Sequence, residues 1–253
     1  MSTQHKNQKW NTLVRRGIIS LQPLLDQRIY PAPCHLCRQD TRDKAGLCSQ
    51  CRQQWQSKLE QAHCAGCGMV VDQAGLCHRC HQKGRLFDQV ITACAWDEQT
   101  RHIVHRLKYH HDFSVLRLIV ESMITRLESG SPPAFEQLIA MPQHPQRRIE
   151  RGFDQARLIA QQLGKRLALP VSASIIKRVT HTPSLTGLNR QQRQAILTNA
   201  FALTISAKQQ IARHVALVDD VLTTGASARA AARQLYQAGA ERVSVLVFAR
   251  VQD

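Results

Sequence analysis

Val215-Ala216-Leu217-Val218-Asp219-Asp220-Val221-Leu222-Thr223-Thr224-Gly225-Ala226-Ser227 is the stretch that decides the fold. Val215 to Val218 carries no charge and is rich in branched side chains, the pattern of a buried parallel strand. Two adjacent carboxylates, Asp219 and Asp220, follow where that strand is expected to end. A short loop of small and hydroxyl residues then enters an Ala-rich helix expected from about Ser227 to Ala238. In open α/β sheets, ligands lie beyond the carboxyl ends of the strands. A loop of this kind opening a helix presents unpaired backbone N–H groups, which attract anions. The hydroxyls of Thr223, Thr224 and Ser227 suit a phosphate monoester, and the carboxylates suit ribose hydroxyls or a hydrated Mg²⁺.

The alternative is an acidic helix cap followed by a Thr-rich turn that holds nothing. Against it stands the whole order of residues, which resembles the phosphoribosyl pyrophosphate (PRPP) signature of type I phosphoribosyltransferases. That resemblance implies that Asp219 and Asp220 hold the ribose hydroxyls. It also implies that Thr223, Thr224, Gly225, Ala226 and Ser227 cradle the 5-phosphate. The signature points to a fold and a ligand, and does not by itself establish catalysis.

Composition bounds the partners. The chain of 253 residues has room for one medium domain and a small appendage. Its formal net charge of +16 attracts polyanions, so nucleic acid is the leading macromolecular partner, with a merely soluble basic protein as the plain alternative. Three Trp, three Tyr and six Phe argue against an aromatic platform of the RNA-recognition-motif kind. No run of 18 apolar residues occurs, so no transmembrane segment is expected. The apolar stretch near the N-terminus is short and broken by Arg15 and Arg16, unlike a signal peptide. Trp10 to Leu25 has the pattern of a basic amphipathic helix, for packing on a domain or a membrane surface. A cytoplasmic protein is expected.

Eight of the nine cysteines form four CxxC pairs: Cys34/Cys37, Cys48/Cys51, Cys64/Cys67 and Cys77/Cys80. Such density in a reducing compartment argues for metal over disulfides. Two pairs complete one tetrahedral Cys₄ zinc site. The run Ala45-Gly46-Leu47-Cys48 recurs as Ala74-Gly75-Leu76-Cys77, each after its own upstream pair, as two tandem ribbons require. The expected grouping is sequential, with two structural Zn²⁺; a cross-braced grouping is the other geometry. Redox-active CxxC is disfavoured because no thioredoxin-like βαβ pattern surrounds the pairs. His35, His63, His78 and His81 are unnecessary as ligands beside full Cys₄ sets, and Cys94 reads as a buried small hydrophobe.

From Phe87 the pattern changes to α/β. Strands are expected at Val90–Trp96, Leu138–Pro142, Ser174–Val179 and Arg242–Phe248. Helices are expected at Glu98–Lys108, at Phe113–Glu128, and from the Arg147–Ala156 run to about Leu167. His181 to Arg190 lacks a period and reads as a hood loop. Between Met141 and Gln194, ten Lys or Arg stand against Glu150 and Asp154. Arg147, Arg148 and Arg151 follow a strand end expected at the ligand face, where they suit pyrophosphate or a nucleic-acid backbone. His110, His111 and Asp112 suggest metal less than solvated or capping roles.

Several features occur together in order: the cysteine-rich N-terminus, Leu107-Lys108-Tyr109, Met141-Pro142 with Arg151-Gly152-Phe153-Asp154-Gln155-Ala156, Thr186-Gly187-Leu188 before Arg190, and Val218–Gly225. Their combination, covering the chain from about Pro31, resembles the ComF family, also called GntX in enterobacteria. Many of its members have Asn where this chain has Asp154. The resemblance implies an α/β, type I phosphoribosyltransferase-like fold with a central mostly parallel sheet, preceded by a small Cys-rich zinc-ribbon domain. Expected boundaries are a basic segment over 1–30, a double zinc ribbon over 31–84 and the α/β domain over 85–253. A role with external DNA follows, with single-stranded DNA, PRPP and DNA-uptake or recombination proteins as partners. Pro142, Arg148, Arg151, Lys108 and Arg190 are the candidates for pyrophosphate or DNA phosphate, and Mg²⁺ would accompany PRPP. The competing reading is a working Mg-dependent phosphoribosyltransferase on an unidentified acceptor, since the acidic pair and phosphate loop are intact.

Overall fold

The computed structural model describes residues 31–83, 87–130, 134–180 and 200–252. The expected helix over Trp10–Leu25, the hood loop His181–Arg190 and Arg190 itself lie outside the described residues. The chain divides into two compact units, one ending at Gln53 and the other spanning Gln54–Asp253.

In the first unit, β1 (Ala32–Pro33) pairs antiparallel with β2 (Asp40–Thr41). The first CxxC pair lies between them, and the second opens helix α1 (Ser49–Leu59), which runs on across the division between units. Gly46 has φ +74°, and a Cβ there would sit 2.2 Å from the His35 ring. A side chain at this position is therefore excluded by both backbone conformation and space.

The second unit begins its own cysteine cluster before helix α2 (His78–Lys83). Then follow β3 (Gln89–Ala95), α3 (Glu98–His110), α4 (Val115–Glu128), β4 (Gln137–Ala140), α5 (Pro145–Arg151) and α6 (Gln155–Leu167). The chain continues through β5 (Val171–Ser172), β6 (Ile176–Arg178), β7 (Phe201–Leu203), α7 (Ala207–Gln210), β8 (His214–Leu222), α8 (Ala226–Ala238) and β9 (Arg242–Arg250). Strands β3-β9-β8-β4-β5 form a five-stranded sheet in that order, every neighbouring pair parallel. Strands β6 and β7 form a separate antiparallel pair.

Residues of alternate parity face opposite sides of the sheet. Val215, Leu217, Val243, Val245 and Val247 share one core with Ala228, Ala231, Ala232 and Leu235 of α8 and with Ile176 and Phe201 of the β6–β7 pair. Alanines on α8 let that helix approach the sheet closely. On the sheet's other side α6 packs on β4 and β8, and α4 on β3 and β9. Cys94 is fully buried, as expected, and burial pushes its thiol up to about 12.

Two sequence expectations are corrected. The central strand does not stop before the carboxylates: β8 runs to Leu222, because β9 pairs with it as far as Leu222↔Arg250. Backbone pairing with a long neighbour outweighs the weak strand preference of Asp. The Arg147–Leu167 stretch is two helices, not one. Gly152 ends α5 at φ +73°, and Asp154 restarts the chain by accepting a 3.0 Å bond from the Arg157 N–H. Glycine for the left-handed turn and aspartate for the new N-cap explain the break.

Candidate functional site

Strand order locates the site before any side chain is considered. From β8 the chain crosses through α8 to β9 on one side, whereas from β4 it crosses through α5 and α6 to β5 on the other. The crevice between the carboxyl ends of β4 and β8 is therefore a topological switch point, where α/β sheets bind ligands. Ala140 pairs with Val218, and the Met141 N–H extends the pairing to the Val218 carbonyl at 2.8 Å. Pro142 thus emerges from β4 beside the acidic residues of β8.

Asp220 is buried and its carboxylate pairs with the Lys108 ammonium from the last turn of α3. The Val221 N–H also donates to Asp220 Oδ1, at 3.0 Å, and the Asp220 N–H to Asp219 Oδ1, at 2.9 Å. Burial, and then the adjacent charge of Asp220, raise the Asp219 carboxyl well above the usual carboxylate range; Lys108 only partly offsets them. Two acids thus share one lysine, and Asp219 lacks the compensation that Asp220 has. Hydroxyl donors or a hydrated cation would supply what is missing. This donor set, all oxygen with one carboxylate not ion-paired, fits Mg²⁺ better than a softer metal.

The loop beyond β8 has exposed Thr223 and Thr224, while Gly225 is buried, and Ala226 and Ser227 open α8. Gly225 is the N-cap at φ +72°, in left-handed geometry. The Thr224 hydroxyl accepts from the Ala226 N–H at 3.4 Å, holding the turn in shape. A Cβ on Gly225 would lie 3.2 Å from Arg229 Nη1, so Arg229 stands against this loop. Gly225→Val is expected to leave the fold intact and lower phosphate-ester affinity at least tenfold, since a β-branched residue at positive φ costs about 1–2 kcal/mol. Isothermal titration with PRPP checks this; wild-type affinity in a folded variant would count against the cradle.

The remaining sequence candidates separate. Arg151 stands over the Tyr109 ring with its guanidinium carbon 5.5 Å from the centroid, and its Nη1 donates to Gln155 Oε1 at 3.3 Å. Arg148 is exposed on α5 and acts electrostatically on Asp154. Besides Lys108, a second cation senses Asp219: Arg178 of β6, partly buried, which also feels Arg147. Arg178 and Arg229 are the basic residues missed by sequence reasoning as site members. For Arg178 the available signal was its place at a strand end; for Arg229, its position four residues into the helix after the loop.

The cysteines group sequentially. The sulfurs of Cys34, Cys37, Cys48 and Cys51 lie within 4.8 Å of one another, as do those of Cys64, Cys67, Cys77 and Cys80. Separations of 3.6 Å for Cys37–Cys48 and 3.7 Å for Cys67–Cys77 match the edge of a tetrahedron with Zn–S near 2.3 Å, about 3.8 Å. Backbone N–H groups of Cys77 and Gly66 donate to Cys64 Sγ at 3.2 and 3.4 Å. Burial opposes the thiolate at Cys64, yet these donors bring it down to about 7, as a metal ligand needs. The two Cys₄ sets therefore fit structural zinc.

A model of the double zinc ribbon domain matches residues 25–81. Competence protein F of Haemophilus influenzae is 31% identical over 211 residues, 82% of this chain and 91% of that protein. The chain belongs to the competence protein F (ComF) family. Another similar protein is the DNA utilization protein YhgH of Escherichia coli K12, 27% identical over 227 residues, 87% of this chain and 97% of that one. Among solved structures, that of TT1426 from Thermus thermophilus overlays with a TM-score of 0.33 at 18% identity, covering 55% of this chain and 84% of the other. For this ComF-family chain the fold rests on strand order, not on that overlay. Among the described residues no helix is long and apolar enough to cross a membrane.

Proposed function

We propose that this ComF-family protein serves the uptake or utilisation of external DNA, binding single-stranded DNA and holding PRPP at the β4–β8 switch point. The observation that carries the reading is the meeting of Asp219, Asp220 and Lys108 with the Thr223–Ser227 loop at one strand end. The carboxylates would accept from the ribose hydroxyls, directly or through a hydrated Mg²⁺, and the loop N–H groups and hydroxyls would receive the 5-phosphate. Bound Mg²⁺ would neutralise pyrophosphate oxygens. Lys108 balances the charge of Asp220, and Arg178 adds positive charge beside Asp219. The DNA part is supported by the net charge of +16, by the basic helix α5, and by relatives named for competence and DNA utilization. A cytoplasmic location accords with this role.

Zinc-loaded protein should bind Mg-PRPP in calorimetric titration and a labelled oligo-dT strand in fluorescence anisotropy. Arg148→Gln should weaken the DNA affinity and reduce its logarithmic salt slope by about 1, the signature of one lost phosphate contact. Failure of both ligands to bind would overturn the proposal. Binding of PRPP alone would shift the reading to a phosphoribosyltransferase acting on a small acceptor.

A further inference from the structure

We infer that Tyr109, Arg151, His111, Phe153 and Phe113 form a platform on which the bases of a single strand stack, beside the phosphate site. This rests on the DNA-binding reading above and assigns the contact that distinguishes bases from phosphates. The platform is assembled from three separate places: the last turn of α3, the left-handed cap residue His111 with the start of α4, and the turn between α5 and α6.

Its members touch in sequence. The Arg151 guanidinium lies over Tyr109, whose other neighbour, the His105 ring, is centred 4.6 Å away and tilted by 42°. His111 Nε2 is 2.9 Å from the Arg151 carbonyl. The His111 and Phe153 rings are 5.5 Å apart, and Phe153 and Phe113 are 5.1 Å apart, both edge to face. Three of the chain's nine Tyr and Phe residues therefore gather on one face. Yet two of them are not covered: Tyr109 is 59% exposed and Phe113 45% exposed. Leaving such rings in water is unfavourable unless something stacks on them.

Position and charge choose the occupant. Lys108, the residue before Tyr109, reaches Asp220, so the platform begins next to the acidic pair. At the other end Phe113 lines a groove of about 400 Å³ between α4 and α6, together with Leu116, Val120, Arg166 and the Arg117–Glu121 ion pair. Arg148 and Arg157 both act electrostatically on Asp154, the residue next to Phe153. Planar rings interleaved with guanidinium groups suit a strand with its bases unpaired, because each base offers a π-face and each linkage a negative charge. A duplex hides those faces. The low aromatic content argues against stacking only for a platform built on a sheet. Here the rings stand on helix ends and turns.

The test uses the zinc-loaded full chain and three labelled probes of equal length: oligo-dT, an abasic oligomer and a blunt duplex. Oligo-dT should bind at least tenfold more tightly than the abasic strand, since stacking contributes roughly 5- to 160-fold per base. Tyr109→Ala and Phe113→Ala should each erase most of that preference and leave abasic binding unchanged. Tyr109→Phe should keep it. Both alanine changes are at exposed positions, and thermal unfolding confirms that the variants are folded. Equal binding of oligo-dT and abasic strand by wild type would overturn the platform while leaving the DNA reading in place. No binding of any probe would overturn that reading, and the platform with it. Alanine variants that lose affinity for all three probes equally would also overturn the platform.

Discussion

Asp219→Asn is expected to stabilise the ligand-free protein by about 1 kcal/mol at pH 8 and to weaken Mg-PRPP binding by roughly 10- to 100-fold. The reason lies in the unequal treatment of the two carboxylates. Lys108 pairs with Asp220, while burial and Asp220 itself disfavour the ionised form of Asp219. An acid whose folded pKa is raised holds its proton more tightly in the folded state. Stability is therefore lost as pH climbs from the unfolded value, near 4, to the folded one. Asparagine removes this titration without changing shape. The melting temperature of the variant should thus match wild type near pH 4 and exceed it increasingly toward pH 8. Asp220→Asn should do the opposite at neutral pH, because it leaves Lys108 without its carboxylate. PRPP binding should release protons from wild type below the raised pKa of Asp219, and not from Asp219→Asn. Titration in two buffers of different ionisation enthalpy reads that difference. A variant that melts lower at pH 8, or that keeps full PRPP affinity, would contradict this account.

Loss of the second zinc site is expected to disturb the Thr223–Ser227 loop, and loss of the first is not. The second Cys₄ set is tied to the sheet by backbone bonds, with the Val90 N–H donating to the Ala65 carbonyl at 2.8 Å. Arg250, at the end of β9 and only 2% exposed, extends that tie. Its Nε donates to the Cys67 carbonyl at 2.9 Å, and its Nη1 to the carbonyls of Leu222, at 3.3 Å, and Thr223. One buried guanidinium thus holds both the zinc knuckle and the first residue of the loop. Cys77→Ser should retain one Zn²⁺ per chain, increase amide exchange at Thr223–Ser227 and lower PRPP affinity roughly tenfold. Cys48→Ser should also retain one Zn²⁺ but leave PRPP affinity as in wild type. Zinc content by atomic absorption confirms the loss in each case. Equal effects on PRPP would show that Arg250 does not transmit the state of the second site. The metal itself is expected to matter to folding, since structural zinc contributes about 10–16 kcal/mol in small ribbons.

The parts of this protein that were legible before folding are those encoded by residues close in sequence. CxxC spacing and the Ala-Gly-Leu-Cys repeat sufficed for two sequential metal sites, because each ligand pair is a local turn and the repeat shows where each set closes. An apolar strand, two acids and a Thr-Thr-Gly turn sufficed for a central strand and a loop capped by Gly225, because strand, turn and helix start are set by neighbouring residues. The Gly152 break was also written locally, in a glycine two residues before an N-cap aspartate, but the helical run on either side masked it.

Tertiary structure decided what those pieces meet. That β8 continues through its carboxylates depended on the length of β9, a partner selected only when the sheet assembles. The cation for Asp220 came from α3, a second cation sensing Asp219 from β6, and the link to the second zinc site from the end of β9. Tyr109, Phe113 and Phe153 were gathered because α3, α4 and the α5–α6 turn converge. The sequence by itself determined the local chemistry: thiolate pairs, an acidic pair and a Thr-Thr-Gly turn. The fold determined the charge balance and the exposed aromatic face, because Coulomb energy and stacking depend on distance in space, which separation along the chain does not reveal.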